Sequence, residues 1–207
     1  MVADDDLQIT QLRATGEQAL AETLLRERDR LHRIVELRMD PKLSGRVDPG
    51  DVLQETFLEA RKRLPRYLDN PSVPVFVWLR GVALDTLIHV HRRHIEAQRR
   101  NAGNEVSIQA TAANASSAAN LARSLLAGDT SPSNAVLREE THQMLERALQ
   151  VLDDIDREVL TMRHFEQLSN DEVAQILGVK KAAASRRYTR ALEHIRVVLQ
   201  ALPGFEG

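Results

Sequence analysis

Cysteine is absent from this chain of 207 residues, which excludes disulfides and any thiolate-ligated metal site. Aromatic residues supply only 3% of the chain, and Gly and Pro are sparse at 9 and 7. No run of alternating β-branched residues suggests a sheet. No apolar run approaches the ~20 residues of a membrane span, and the acidic start MVADDDLQIT lacks a signal-peptide pattern. Neither sign of charge dominates: 28 Lys and Arg face 30 Asp and Glu, for a net charge of −2. Any contact with nucleic acid must therefore come from local patches. The chain shows no nucleophile–base pair, phosphate loop or metal-ligand set, so neither an enzyme nor a cofactor is expected. These absences together point to a soluble cytoplasmic protein.

What the chain has in quantity is Leu, Ala, Arg and Glu, which favour helix. An all-α fold of two small domains is expected. The most informative stretch is 168–192, LSNDEVAQILGVKKAAASRRYTRAL. Ser169 is a good N-cap, and Glu172 three residues later can complete a capping box. Val173, Ala174, Ile176 and Leu177 form an apolar side, and Gly178 closes the helix as a residue tolerating positive φ should. A second helix starts near Lys180 and carries Lys181, Ser185, Arg186, Arg187, Thr189 and Arg190. The small residues Ala182, Ala183 and Ala184 allow it to pack closely on the first. This is the layout of a helix-turn-helix, in which one helix braces and the other enters the major groove. The plainer alternative is a solvated basic face on an ordinary helical hairpin.

Taken in order, residues 1–16 are expected to form a mobile acidic lead. A helix over 17–39 has Leu20, Leu24, Leu31, Ile34, Val35 and Met39 along one side, and Asp40-Pro41 ends it. A loop around Gly45 follows. Asp48 then caps a new helix with Pro49 at its first position, running to Leu64 over Val52, Leu53, Thr56, Phe57 and Ala60. Its polar residues Asp51, Gln54, Glu55 and Glu59 can be read as a solvated face. The segment PRYLDNPSVP reads as a loop. A helix over 75–99 then buries Phe76, Leu79, Val82, Ala83, Thr86, Leu87 and Val90. It also carries a second basic patch that includes Arg80, Arg92 and Arg93, with Trp78 near its start as a core or boundary aromatic. His89, His91 and His94 lie near one another in sequence, but i and i+2 fall on different helix faces, so no metal site is expected.

Residues 101–132 are rich in Ala, Ser and Asn and read as an interdomain linker with a short helix about Leu121, Leu125 and Leu126. Helices over 134–152 and from Ile155 to Phe165 follow, with Ile155, Val159, Leu160, Met162 and Phe165 inward. The last six residues, LPGFEG at 202–207, form a tail.

Two stretches resemble one family. LDDIDREVLTMRHFEQLSNDEVAQILGVKKAAASRRYTRALEHIR is similar to region 4 of sigma-70-type RNA polymerase sigma factors. DPGDVLQETFLEA, followed by VFVWLRGVALDTLIHVHRRH, is similar to region 2 of the small extracytoplasmic-function (ECF) type. The resemblance implies a region 2 domain over 17–100, the linker over 101–132 and a region 4 domain over 133–201. It implies promoter recognition and DNA opening for core RNA polymerase. The partners implied are the polymerase clamp helices and flap, promoter DNA and an anti-sigma factor. Asp51, Gln54 and Glu55 fall where the family docks on the clamp. Tyr67, Asp69, Asn70 and the loop to Val73 fall where it captures a base flipped from the −10 strand. Arg80, Asp85, His89, Arg92 and Arg93 fall on the adjacent DNA-facing helix. Lys181, Ser185, Arg186, Thr189 and Arg190 fall at the −35 reading helix, with Arg187 bracing the motif or touching backbone. An Arg there can pair with guanine or hold phosphate. Two weak contacts joined by a linker would add through effective concentration.

The chain departs from the family's usual pattern at several places. Ala183, Ala184, Ser185, Arg186 and Arg187 replace a common Thr-Val-Lys-Ser-Arg run, and Lys180 stands where a small polar cap is usual. Val75 replaces a frequent Phe, and Asp85 and His89 stand where Asn and Asp are frequent. The rival readings are a stand-alone helix-turn-helix regulator and an interaction protein that holds polymerase without reading DNA.

Overall fold

The computed structural model describes residues 2–40, 43, 45–102, 121–122 and 135–200. All regular structure among them is helical, as the composition predicts. The chain divides into two units, Met1–Val106 and Ser107–Gly207.

The first unit opens with a correction. Residues 1–16, expected as a mobile lead, instead contain helix α1 (Val2–Thr15), whose Leu12 is 1% exposed. The acidic run hid this helix because its local pattern shows no apolar stripe, while Leu12 anchors it and Asp5 accepts from Val75 N at 2.9 Å. Gly16, with φ 52 and ψ −112, breaks it from α2 (Glu17–Arg26) in a conformation open essentially to Gly alone. The single helix expected over 17–39 is two, α2 and α3 (Arg28–Arg38), separated at Glu27 with φ −90 and ψ 3. The apolar side is as predicted: Leu20, Leu24, Leu31, Ile34, Val35 and Met39 are all buried.

Helix α4 (Pro49–Asp69) starts as its sequence demands, with the Asp48 side chain accepting from Gly50 N at 2.6 Å and Pro49 at its first position. It does not stop at Leu64. It runs through Pro65, although an interior Pro lacks the N–H its turn needs and costs about 3 kcal/mol. Pro65 sits on the exposed side. The turn beyond it is held by Tyr67, which is buried, stacks on Trp78 with ring centroids 4.4 Å apart and donates its hydroxyl to Val73 O at 2.8 Å. Burial of the ring and a stacked aromatic partner offset the proline penalty.

Helix α5 (Val75–Ala102) follows after a short connection. The seven residues expected on its core side are all buried. Helices α3, α4 and α5 pack on one another and enclose the centre of this unit.

In the second unit, Leu121 and Ala122 are helical and fully buried, while Leu125 and Leu126 of the expected short helix lie outside the described residues, as does most of the linker. Helix α6 (Ala135–Val151) precedes α7 (Asp154–Leu160), which Asp153 caps by accepting from Ile155 N at 2.9 Å. Arg157 is buried and donates to Leu149 O at 2.7 Å, placing a cation at the carbonyl end of α6. A π-helical turn, Thr161–Phe165, continues α7. Ile155, expected inward, is 42% exposed: as the second residue after the cap it precedes the buried stripe of Val159, Leu160 and Met162. Helices α8 (Asn170–Leu177) and α9 (Lys181–Gln200) complete the unit.

Candidate nucleic-acid interface

The turn between α8 and α9 is built by local chemistry. Ser169 Oγ accepts from Glu172 N at 3.2 Å, and the Glu172 carboxylate accepts from Ser169 N at 2.6 Å, a complete capping box. At the other end Gly178 has φ 63 and ψ 30. Gly178 N donates to Gln175 O at 3.2 Å and Val179 N to Ala174 O at 3.0 Å, which satisfies the last carbonyls of α8 as a left-handed Gly termination does. Asn170 Nδ2 donates to Lys181 O at 3.0 Å, and Lys181 Nζ pairs with Asp171 at 2.8 Å. Two side-chain contacts thus tie the start of α9 to the start of α8. Lys181, one of the expected DNA contacts, carries one of them.

Packing sets which side of α9 is free. Ala184 and Ala191 are fully buried and Ile195 is 5% exposed. Ser185, Arg186, Thr189 and Arg190 are exposed, and their i, i+1, i+4, i+5 spacing puts them on one face. Arg187 is half-buried and donates to Asp156 Oδ1 at 2.7 Å. Arg190 donates its Nε to Asp156 Oδ2 at 2.5 Å while its side chain stays 63% exposed. Burial alone would raise the Asp156 carboxyl; the hydrogen bonds from Arg190 and then Arg187 outweigh it and hold the group below its ordinary value of 3.8. The same bond raises Arg190. Asp156 was not among the expected site residues. Its partners lie 31 and 34 positions away, so no local pattern points to them.

The first unit carries the other expected residues on α4, α5 and the connection between them. Asp51 and Gln54 are exposed, and Glu55 accepts from Arg93 at 2.5 Å. Glu55, Glu59, Thr86, His89 and Arg93 line a cavity of ≈ 310 Å³. Arg63 bridges Asp85 at 2.6 Å and Glu59 at 3.1 Å, and Lys62 adds a bond to Glu59 at 3.2 Å. The Lys62 bond and then the Arg63 bond lower the Glu59 carboxyl, and the bond to Asp85 raises Arg63. Glu59 lies on the polar side expected for α4, while Arg63 was missed as part of this face; its i, i+4 spacing from Glu59 is the signal that was available.

Asp69, Asn70, His89 and Arg92 are exposed. Two expected contacts are placed differently. Tyr67 is 7% exposed and Arg80 is 5% exposed, so both sit within the unit, where they support the surface. Burial, and secondarily the charge of Asp5, pushes the Tyr67 hydroxyl well above its usual range. The three histidines of α5 do not converge: His91 lies 3.4 Å from Asp40, and among the described residues no three His, Asp or Glu side chains are placed to hold an ion.

The chain has two helical units, and the second ends in a capped helix-turn-helix with an exposed basic face, the form of a DNA-reading module. The family model described as Sigma-70, region 4 matches residues 142–195, which span the end of α6 to α9. The RNA polymerase sigma-H factor of Pseudomonas aeruginosa is 25% identical over 201 residues, covering 90% of this chain and 95% of that one. The ECF RNA polymerase sigma-E factor of Escherichia coli is 25% identical over 193 residues, with the same coverage. A solved structure described as CnrH in complex with the cytosolic domain of CnrY is 20% identical. It covers 95% of this chain and 97% of its own, with a TM-score of 0.54, and shows the same fold. Residues 142–195 are thus of the sigma-70 region 4 type, and the chain as a whole is similar to ECF sigma factors of the sigma-70 family. It is an alternative sigma factor that directs promoter recognition in transcription initiation.

Proposed function

We propose that the second unit reads the −35 element through Ser185, Arg186, Thr189 and Arg190, while Lys181 and Arg187 fix the frame of the motif and reach phosphate. The observation that carries this is the exposed face of α9, set by a capped turn and backed by buried Ala184 and Ala191. A helix presented in this way can put its N-terminal half into the major groove, and its arginines supply both phosphate attraction and base contacts.

The first unit docks on the clamp helices of core polymerase through Asp51, Gln54 and Glu55, and opens the −10 element. Asp69 and Asn70, with the residues up to Val73, hold a base extruded from the opened strand, while His89, Arg92 and Arg93 track the adjoining backbone. Asp85 shapes this face through its bond to Arg63. Tyr67 and Arg80 act from within the unit. The second unit also meets the polymerase flap, and an anti-sigma protein is the partner proposed to restrain the free factor. Its place of action is the cytoplasm, with polymerase. The reading assigns this chain no catalytic step, because nucleotide addition belongs to polymerase.

The test is initiation in vitro. Purified protein mixed with core polymerase on fragmented genomic DNA is expected to give transcripts starting at discrete sites. Tight DNA binding without polymerase, and no initiation with it, would sink the reading in favour of a stand-alone regulator.

A further inference from the structure

We propose that α1 is a strut that positions the strand-capturing segment between α4 and α5, with Asp5 and Arg13 as its two positioning residues. This rests on the reading that Asp69, Asn70 and the residues to Val73 hold the extruded base.

The segment has two ends, and α1 holds both. Arg13 Nη2 donates to Leu68 O at 3.0 Å, in the last turn of α4. Asp5 Oδ1 accepts from Val75 N at 2.9 Å, at the first residue of α5. The last carbonyls of one helix and the first N–H groups of the next lack partners within their own helices. A cation at the first end and a carboxylate at the second are the side chains that suit those ends electrostatically. Here both come from one helix. Asp5 and Arg13 are eight positions apart on α1, which is about 12 Å of helix, so the distance between the two anchored ends is set by a rigid element.

The anchor of α1 is independent of these bonds. Leu12 is 1% exposed, and Gly16 turns the chain back toward α2. Inside the segment a third bond, from the Tyr67 hydroxyl to Val73 O at 2.8 Å, fastens the middle, and Pro71 and Pro74 limit its freedom. Asp69 and Asn70 stay exposed. A surface that must hold a splayed base gains selectivity when its backbone is fixed before the base arrives. The N-terminal helix, which touches neither polymerase nor DNA in this account, supplies that fixing.

The experiment uses the full chain assembled with core polymerase and a single-stranded DNA library randomised over the −10 positions. Bound DNA is sequenced to give a base preference at each position. Asn70→Ala is the reference variant and is expected to flatten the preference at one position. Asp5→Ala and Arg13→Ala, singly and together, are expected to flatten the same position, the pair by about tenfold in the ratio of best to worst base. Core-polymerase affinity should be unchanged. Asp5→Asn keeps an acceptor oxygen and should restore much of the preference. Helix content measured at the assay temperature separates loss of fold from loss of positioning, and the single variants, each missing one bond, serve if the pair unfolds. If Asn70→Ala flattens the preference while folded Asp5→Ala and Arg13→Ala leave it intact, the strut is overturned and the capture reading stands. If Asn70→Ala itself changes nothing, the capture reading falls, and the strut with it.

Discussion

The Asp156 carboxylate, 3% exposed on α7, accepts from Arg190 Nε at 2.5 Å and from Arg187 Nη1 at 2.7 Å, both on α9. One acid therefore aims two arginines and cancels one of their charges. Asp156→Asn leaves both cations in place without that balance. Affinity for nonspecific duplex DNA is expected to rise, and the slope of log affinity against log salt to steepen by about 1, as one more phosphate is neutralised. Base discrimination should fall, because Arg190 is no longer held at a fixed angle. Fluorescence anisotropy on promoter and random duplexes across a salt series checks both; an unchanged slope would show that Asp156 is merely structural.

The same contact sets a pH dependence. The folded carboxyl of Asp156 lies below its ordinary value of 3.8. Its contribution to stability is then fully present above that value and is lost as pH falls through the depressed one. Carboxyl-carbon NMR should give a titration midpoint for Asp156 below 3.8. A midpoint at or above that value would mean the arginine bonds do not persist in solution.

The turn that sets the angle of α9 should be sensitive at both of its ends. Ser169→Ala removes the cap and is expected to cost about 1 kcal/mol. Gly178→Ala places a side chain where φ is 63, with no atom within 4 Å to obstruct it, so its cost is conformational alone. That cost is roughly 1–2 kcal/mol. Amide hydrogen exchange along α8 measures both, and exchange unchanged by Gly178→Ala would argue that the left-handed residue is not needed.

The two units should fail separately. Arg186→Ala with Arg190→Ala is expected to abolish −35 recognition and keep core-polymerase binding. Asp51→Arg with Glu55→Arg should do the reverse. Gel-shift with promoter duplex and co-sedimentation with core polymerase read the two properties, and loss of core binding in the arginine pair would reverse the assignment of the units.

What the sequence made legible was local. The Ser169–Glu172 box, the Gly178 stop and the Asp48-Pro49 start each depend on residues within four positions, and all three are found. The core sides of α3 and α5 follow from helical periodicity and are buried as expected. What the sequence hid depends on contacts between distant residues. Pro65 reads as a helix end until Tyr67 is seen stacked on Trp78. The acidic start reads as a loose lead until Leu12 is seen buried, with Asp5 and Arg13 bonded to Val75 and Leu68. Arg80 and Tyr67 carry the polar atoms expected of a DNA contact, and only tertiary packing places them inside. Charge pairing was illegible for the same reason: Glu55 and Arg93 were assigned to different partners, yet they share a bond across 38 positions.

The stack of Tyr67 on Trp78 gives the molecule an internal optical probe. Trp78 is the one tryptophan of the chain, so its emission reports on the junction of α4 and α5 without any label. With no cysteine present, a single thiol introduced on α9 could carry an acceptor dye. One protein would then report the proposed strand capture through its own indole and the proposed groove entry through the dye, each from a known residue.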